Sequence, residues 1–227
     1  MILEGIDILI ERTERRKTLS IFIERDGSVR VLAPQYVSDE RIEEAVQSKQ
    51  YQIFSKLAKW KELNQGKINR EFVNGQSYLY LGRNYRLSIV EAADMPLQFK
   101  SNQFLLDKNY VNTADKHFKD FYRDKAKEKI QERLKRVQSK FYEKPTSIKV
   151  MELQNRWASC TANGGLNFHW KCAMAPVAVI DYIITHEMVH LKYPDHSPAF
   201  WDELDKKMPN YREYEEWLKA NGVKMDL

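Results

Sequence analysis

Two histidines flanking a glutamate, in the run His186-Glu187-Met188-Val189-His190, constrain this chain more than any other feature. Residues four apart share one face of an α-helix and stand about a turn from each other, so a helix here aims both imidazoles at one point. Glu187, roughly 100° round the helix from His186, falls beside that point rather than on it. Val177, Ile180, Ile184, Met188 and Leu191 supply an apolar stripe for burial, and Pro176 suits a first helical turn. Tyr193-Pro194 ends the helix, because the residue before a proline is pushed out of the helical region.

This spacing meets the needs of metal-assisted hydrolysis. Zinc takes imidazole nitrogens in tetrahedral sites and acidifies water, and a neighbouring carboxylate must take the proton as the water attacks an amide carbonyl. His186 and His190 therefore read as ligands and Glu187 as the general base. His196 follows immediately before Ser197-Pro198, a cap and a proline that can open a new helix. The intervening residues reach up to ~20 Å, so the turn can bring His196 back as third ligand and leave a fourth position open. A glutamate from the following helices, Glu203, Glu213, Glu215 or Glu216, is the alternative third ligand, although solvated helix faces also account for those residues. Oxygen-seeking Mg²⁺ or Ca²⁺ finds too few carboxylates beside the histidines, which makes Zn²⁺ the expected ion.

Composition narrows the remaining choices. In 227 residues, 43% hydrophobic and 12% aromatic content is enough to build a core. No apolar run approaches the ~20 residues that span a bilayer, and Glu4 and Asp7 interrupt the stretch where a secretory signal is apolar. Cys160 and Cys172 are too few for a disulfide scaffold and lack the spacing of a thiolate clip, so free thiols and a cytoplasmic location are expected. Lys and Arg outnumber Asp and Glu by only 37 to 32, a weak sign of an acidic partner.

Along the chain, Lys17–Ile23 alternates, turns at Asp26-Gly27 and resumes at Val29 and Val31, a hairpin preceded by a strand from Ile6 to Ile10. Ser38 caps a helix expected to run to about Leu63, with Asn64-Gln65-Gly66 as its stop. Tyr78–Leu81 and Tyr85, Leu87 and Ile89 flank a Gly82-Arg83-Asn84 turn, and a hairpin through Ser101-Asn102 can follow. Phe118, Tyr122, Ala126, Ile130, Leu134, Val137 and Phe141 mark one long amphipathic helix over 115–144. Ile148–Glu152 and Leu166–Trp170 read as strands leading into the His-bearing helix. The expected fold is α+β, with an N-terminal β-rich region at 1–110 and a catalytic region at 111–227.

The segment His186–Trp201, HEMVHLKYPDHSPAFW, resembles the YgjP-like metallopeptidases, relatives of the SprT-like zinc peptidases. Other matching segments follow in that family's order: RTERRKTL at Arg12–Leu19, Asp26-Gly27, Ala33-Pro34, Leu81-Gly82-Arg83-Asn84-Tyr85, RWASC at Arg156–Cys160, Ala175-Pro176 and Asp181-Tyr182. The resemblance implies a zincin-like catalytic region with a mixed sheet and an HExxH active-site helix. It implies zinc held by His186, His190 and His196, Glu187 as base, and a polypeptide substrate. It further implies that the strand Leu166–Trp170 offers an edge to an extended peptide. Ala158 stands where that family usually has Gly, and His169 where Asn is common; His169 reads as a structural histidine. The spacing from His190 to His196 also matches metzincins, but Tyr193 replaces the glycine of their intervening turn, which argues against giving Met208 the role of their methionine turn.

Several residues carry a plain structural explanation beside a functional one. Asp195 and Asp202 can orient an imidazole, and turn or helix-start chemistry explains both. Trp157, Trp170 and Trp201 read as core or cleft-wall residues, and Cys160 as a buried thiol. The segment 115–144 has 11 basic against 6 acidic residues, with Lys125, Lys129, Arg133 and Arg136 on one face. A solvated face explains it; the alternative function, a nucleic-acid-associated protein-removing protease or DNA-binding adaptor, rests on it. A metal-stabilised interaction module without turnover is a third possibility.

Overall fold

Alternation of apolar residues in the first third of the chain produces a small sheet backed by helices. The computed structural model describes residues 1–14, 16–24, 26–64, 70–153 and 156–227, grouped in two compact units, Met1–Lys67 and Ile68–Leu227. In the first unit, strands β1 (Ile2–Leu3), β2 (Ile6–Thr13), β3 (Ser20–Ile23) and β4 (Val29–Pro34) lie in the order β1-β2-β4-β3. The expected hairpin is β3–β4, closed where Gly27 takes φ +91° and donates to the Glu24 carbonyl at 3.1 Å. β2 runs parallel to β4. Ile8, Val29, Val31 and Ala33 are buried together with Ile42, Val46 and Ile53 of helices α1 (Asp39–Ser48) and α2 (Gln50–Asn64). Ser38 caps α1 as expected, accepting from the Arg41 amide at 3.4 Å. The single helix expected to about Leu63 is broken at Lys49. Ser48 Oγ donates back to the Ala45 carbonyl at 2.8 Å, a bond that bends helices. Of the expected stop, Gln65 and Gly66 lie outside the described residues.

The second unit is organised by one long helix between two sheets. β5 (Ser77–Tyr80), β6 (Arg83–Val90), β7 (Leu97–Lys100) and β8 (Gln103–Asp107) are ordered β5-β6-β8-β7, with β6 and β8 parallel. The β5–β6 turn is Leu81-Gly82, upstream of the expected Gly82-Arg83-Asn84, because Arg83 already pairs with Tyr80. Both turn residues have positive φ, +48° and +82°, as a two-residue hairpin turn matched to strand twist requires. Ser101-Asn102 does close the β7–β8 hairpin. Helix α3 (Ala114–Val137) buries the predicted stripe from Phe118 to Val137 and ends before the predicted 144, passing into a 3₁₀ turn at Gln138–Lys140. Phe118 stacks on Tyr78 at 4.3 Å and meets Phe104 at 5.2 Å. Residues 70–110, grouped on the sequence with the N-terminal region, thus share a core with α3.

The third sheet comprises β9 (Ser147–Met151), β10 (Ala158–Cys160) and β11 (Gly165–His169), in the order β10-β11-β9. This corrects the expectation that Leu166–Trp170 offers a free edge. β11 is the central strand, its two sides occupied by antiparallel β10 and parallel β9. Among the described residues the open edges belong to β9 and β10. Helices α4 (Val177–His190), α5 (Pro198–Lys207) and α6 (Tyr211–Asn221) complete the unit, with α4 packed against α3, α5, α6 and β10. The described residues therefore form a mixed α+β protein with six α-helices and three mixed sheets. No helix among them is long and apolar enough to cross a membrane.

Candidate metal centre

Helix α4 is fixed at its start and along its length. At its start, the Leu81 and Gly82 amides donate to the Ala173 and Met174 carbonyls, each at 2.9 Å. This seats the β5–β6 turn on the approach to the helix. Four residues into it, Asp181 takes both Nε and NηH₂ of Arg133 from α3, at 2.7 and 2.5 Å. Val179, Ile180, Ile183, Ile184, Met188 and Val189 are buried, which leaves His186 and His190 on the remaining face.

The structure brings the three sequence-predicted histidines together. One ring nitrogen from each of His186, His190 and His196 lies within 4.8 Å of the others, and the Nε2 atoms of His186 and His196 are 3.0 Å apart. His190 Nδ1 is 2.9 Å from the Tyr193 carbonyl. A carbonyl only accepts, so this nitrogen carries the proton and Nε2 keeps its lone pair, the arrangement by which metal-binding histidines are oriented. The orienting partner is thus a backbone oxygen, and Asp195 instead accepts from the Ser197 amide at 3.4 Å. Fully buried Phe200 lies beneath the cluster, its ring 4.9, 4.5 and 4.8 Å from His186, His190 and His196. Phe200 was not singled out on the sequence, where only its place in the Ala199-Phe200-Trp201 run marked it.

Burial favours the neutral form of two of the three imidazoles. Burial, with His190 and His196 adding, pushes the His186 imidazole down to about 3. His190 is also lowered, chiefly by burial, against the pull of the Tyr193 carbonyl. Neutral imidazoles offer lone pairs. Glu187 is only 6% exposed; burial pushes its carboxyl up to about 8 while the Arg156 charge pulls it down. Its Oε2 and the His186 Nδ1 are buried without a hydrogen-bond partner among the described residues. Imidazoles bound at ~2.1 Å in a tetrahedral site stand roughly 3.4 Å apart, so the observed separations fit one ion after small side-chain adjustments. A set of nitrogen donors without a carboxylate suits zinc and similar transition metals, not Mg²⁺ or Ca²⁺.

The sequence model of the YgjP-like family, its metallopeptidase domain, matches residues 17–221. The chain belongs to the YgjP-like metallopeptidase family. No curated protein matches it. Membership places this YgjP-like chain among hydrolases that use a metal ion on polypeptides, and the matched segment contains every residue of the cluster.

The other candidates in this YgjP-like domain take ordinary structural places. Glu203 pairs with Lys207 at 3.2 Å and Glu215 with Lys219 at 2.8 Å, and no glutamate joins the histidine group among the described residues. His169 Nδ1 accepts from the Lys171 amide at 3.0 Å, and burial pushes the ring down to about 4. It caps the 3₁₀ turn Trp170–Met174, the structural role expected of it. Cys160 and Cys172 are free; burial raises both thiols, Cys172 to about 12. On α3, Lys125 pairs with Glu128 and Lys129 with Glu132, at 2.7 and 2.6 Å, while Arg133 is taken by Asp181. Three of the four residues of the basic face are therefore already paired with carboxylates.

Proposed function

We propose that this YgjP-like protein is a zinc-dependent peptidase in which His186, His190 and His196 hold the ion and Glu187 is the general base. The observation that carries this reading is the convergence of three imidazole nitrogens within 4.8 Å on and beside the helix that buries Glu187. A zinc ion held by these three nitrogens would supply Lewis-acid activation of water and of the scissile carbonyl. Burial holds the Glu187 carboxyl up at about 8, and a cation beside it would bring it back down; ionised, its Oε2, buried and without a partner among the described residues, would accept the proton of the attacking water and pass it to the amine nitrogen as the C–N bond breaks. Phe200 excludes water from beneath the imidazoles. The open edge of β10, beside α4, offers backbone donors and acceptors to an extended polypeptide, which would add as a further strand. The free thiols suit a cytoplasmic setting.

The test is Glu187→Gln with zinc content and hydrolysis of an unstructured protein such as casein measured on the same samples. Zinc should be retained and hydrolysis should fall by about 10²–10⁴, the usual worth of a positioned base. Failure of the parent to take up zinc, or equal turnover by parent and variant, overturns the reading.

A further inference from the structure

His196 differs from the other two ligands in how it is held. His186 and His190 project from α4, and His190 is fixed further by the Tyr193 carbonyl. His196 is exposed and sits on the turn before α5, and its ring has no hydrogen bond among the described residues except to His186. Phe200 meets its ring edge-on at 4.8 Å, but among the described residues Trp201 alone both stacks on the ring and bonds its backbone. The indole Nε1–H donates to the His196 carbonyl at 3.1 Å, and the indole face stacks on the imidazole at 5.5 Å with planes 25° apart. Tyr211 of α6 backs Trp201 at 5.7 Å and 23°, and itself lies over Tyr182 of α4 at 6.5 Å and 15°. The column returns to the helix carrying His186, whose ring meets Tyr182 edge-on at 5.9 Å.

We infer that Trp201 is a positioning residue that preorganises His196 for the ion, with Tyr211 as its support. This rests on the metal reading above. The physical reason is that an imidazole on an exposed turn otherwise populates several rotamers, and ordering it on binding subtracts from affinity. Trp201 fixes both ends of the residue, backbone by hydrogen bond and ring by stacking. Partners that orient metal ligands typically change affinity 10–100-fold when removed.

Zinc affinity is measured by competition with a chromophoric chelator, and thermal unfolding is measured on the zinc-free chain. Trp201→Ala should weaken zinc binding about 10–100-fold. Trp201→Phe, which keeps a stacking ring and loses the donor, should lose about 2–12-fold, the worth of one hydrogen bond; it also serves if the alanine variant fails to fold. In a His196→Ala background, replacing Trp201 should cost no further affinity. Unchanged affinity in Trp201→Ala and Trp201→Phe with a lower zinc-free melting temperature overturns the inference, as does an equal loss with and without His196. A parent that binds no zinc instead overturns the metal reading itself, so the two failures are distinguishable.

Discussion

Gly82→Ala tests how the β5–β6 turn holds the start of α4. Gly82 has φ +82°, and a Cβ there would lie 2.7 Å from Pro176 Cγ and 3.0 Å from Pro176 Cα. Two costs add. An L-residue in the left-handed region costs about 1–2 kcal/mol, and forcing a methyl against a packed proline costs about 1–3 kcal/mol more. The sum is about 2–5 kcal/mol, equivalent to a fall of about 4–20 °C in the melting temperature of a unit this size. Gly75→Ala is the matched control: its φ is +85° with nothing within 4 Å of the added carbon, so only the backbone cost applies, about 2–8 °C. Scanning calorimetry on both variants isolates the contact with Pro176. Equal melting temperatures for the two would refute the idea that the turn is pressed against the approach to α4.

Three further outcomes are expected. His196→Ala should weaken zinc binding strongly in chelator competition while Glu203→Ala does not, since Glu203 is engaged by Lys207; the reverse order would move the third ligand to a glutamate. Arg133→Met leaves Asp181, only 18% exposed, without its partner, and should cost about 2–4 kcal/mol in denaturant unfolding, somewhat below the loss for a fully buried pair; a neutral result would show that the pair does not anchor α4. Because Lys125, Lys129 and Arg133 are already paired, the chain should show no measurable DNA or RNA binding at low salt, and a binding constant that falls steeply with added salt would restore the nucleic-acid alternative.

What the sequence disclosed were features carried by local periodicity. The spacing of His186 and His190, the stripe from Phe118 to Val137 and the β3–β4 hairpin all follow from residues within a few turns of each other. Features set by distant partners were hidden. β10 has only three residues, Ala158–Cys160, too few to show alternation, and without it β11 reads as an edge. Arg133 looked like part of a solvated face because its carboxylate partner is 48 residues away. The grouping of 70–110 with α3 depends on Tyr78 and Phe104 meeting Phe118, a choice of partner that no periodicity encodes.

The parallel pairing of β2 with β4 bears on how much of the chain is needed to make a well-behaved protein. The matched segment starts at residue 17, after β2 has ended, yet Ile8 through Thr13 are registered against Val29 through Pro34. Shortening the chain to the matched residues would strip one side of β4 and expose Val29, Val31 and Ala33 at a hydrophobic border. Unpaired strands of that kind recruit one another. Self-association and poor solubility, rather than any change at the histidines, would be the first consequence of the trimming.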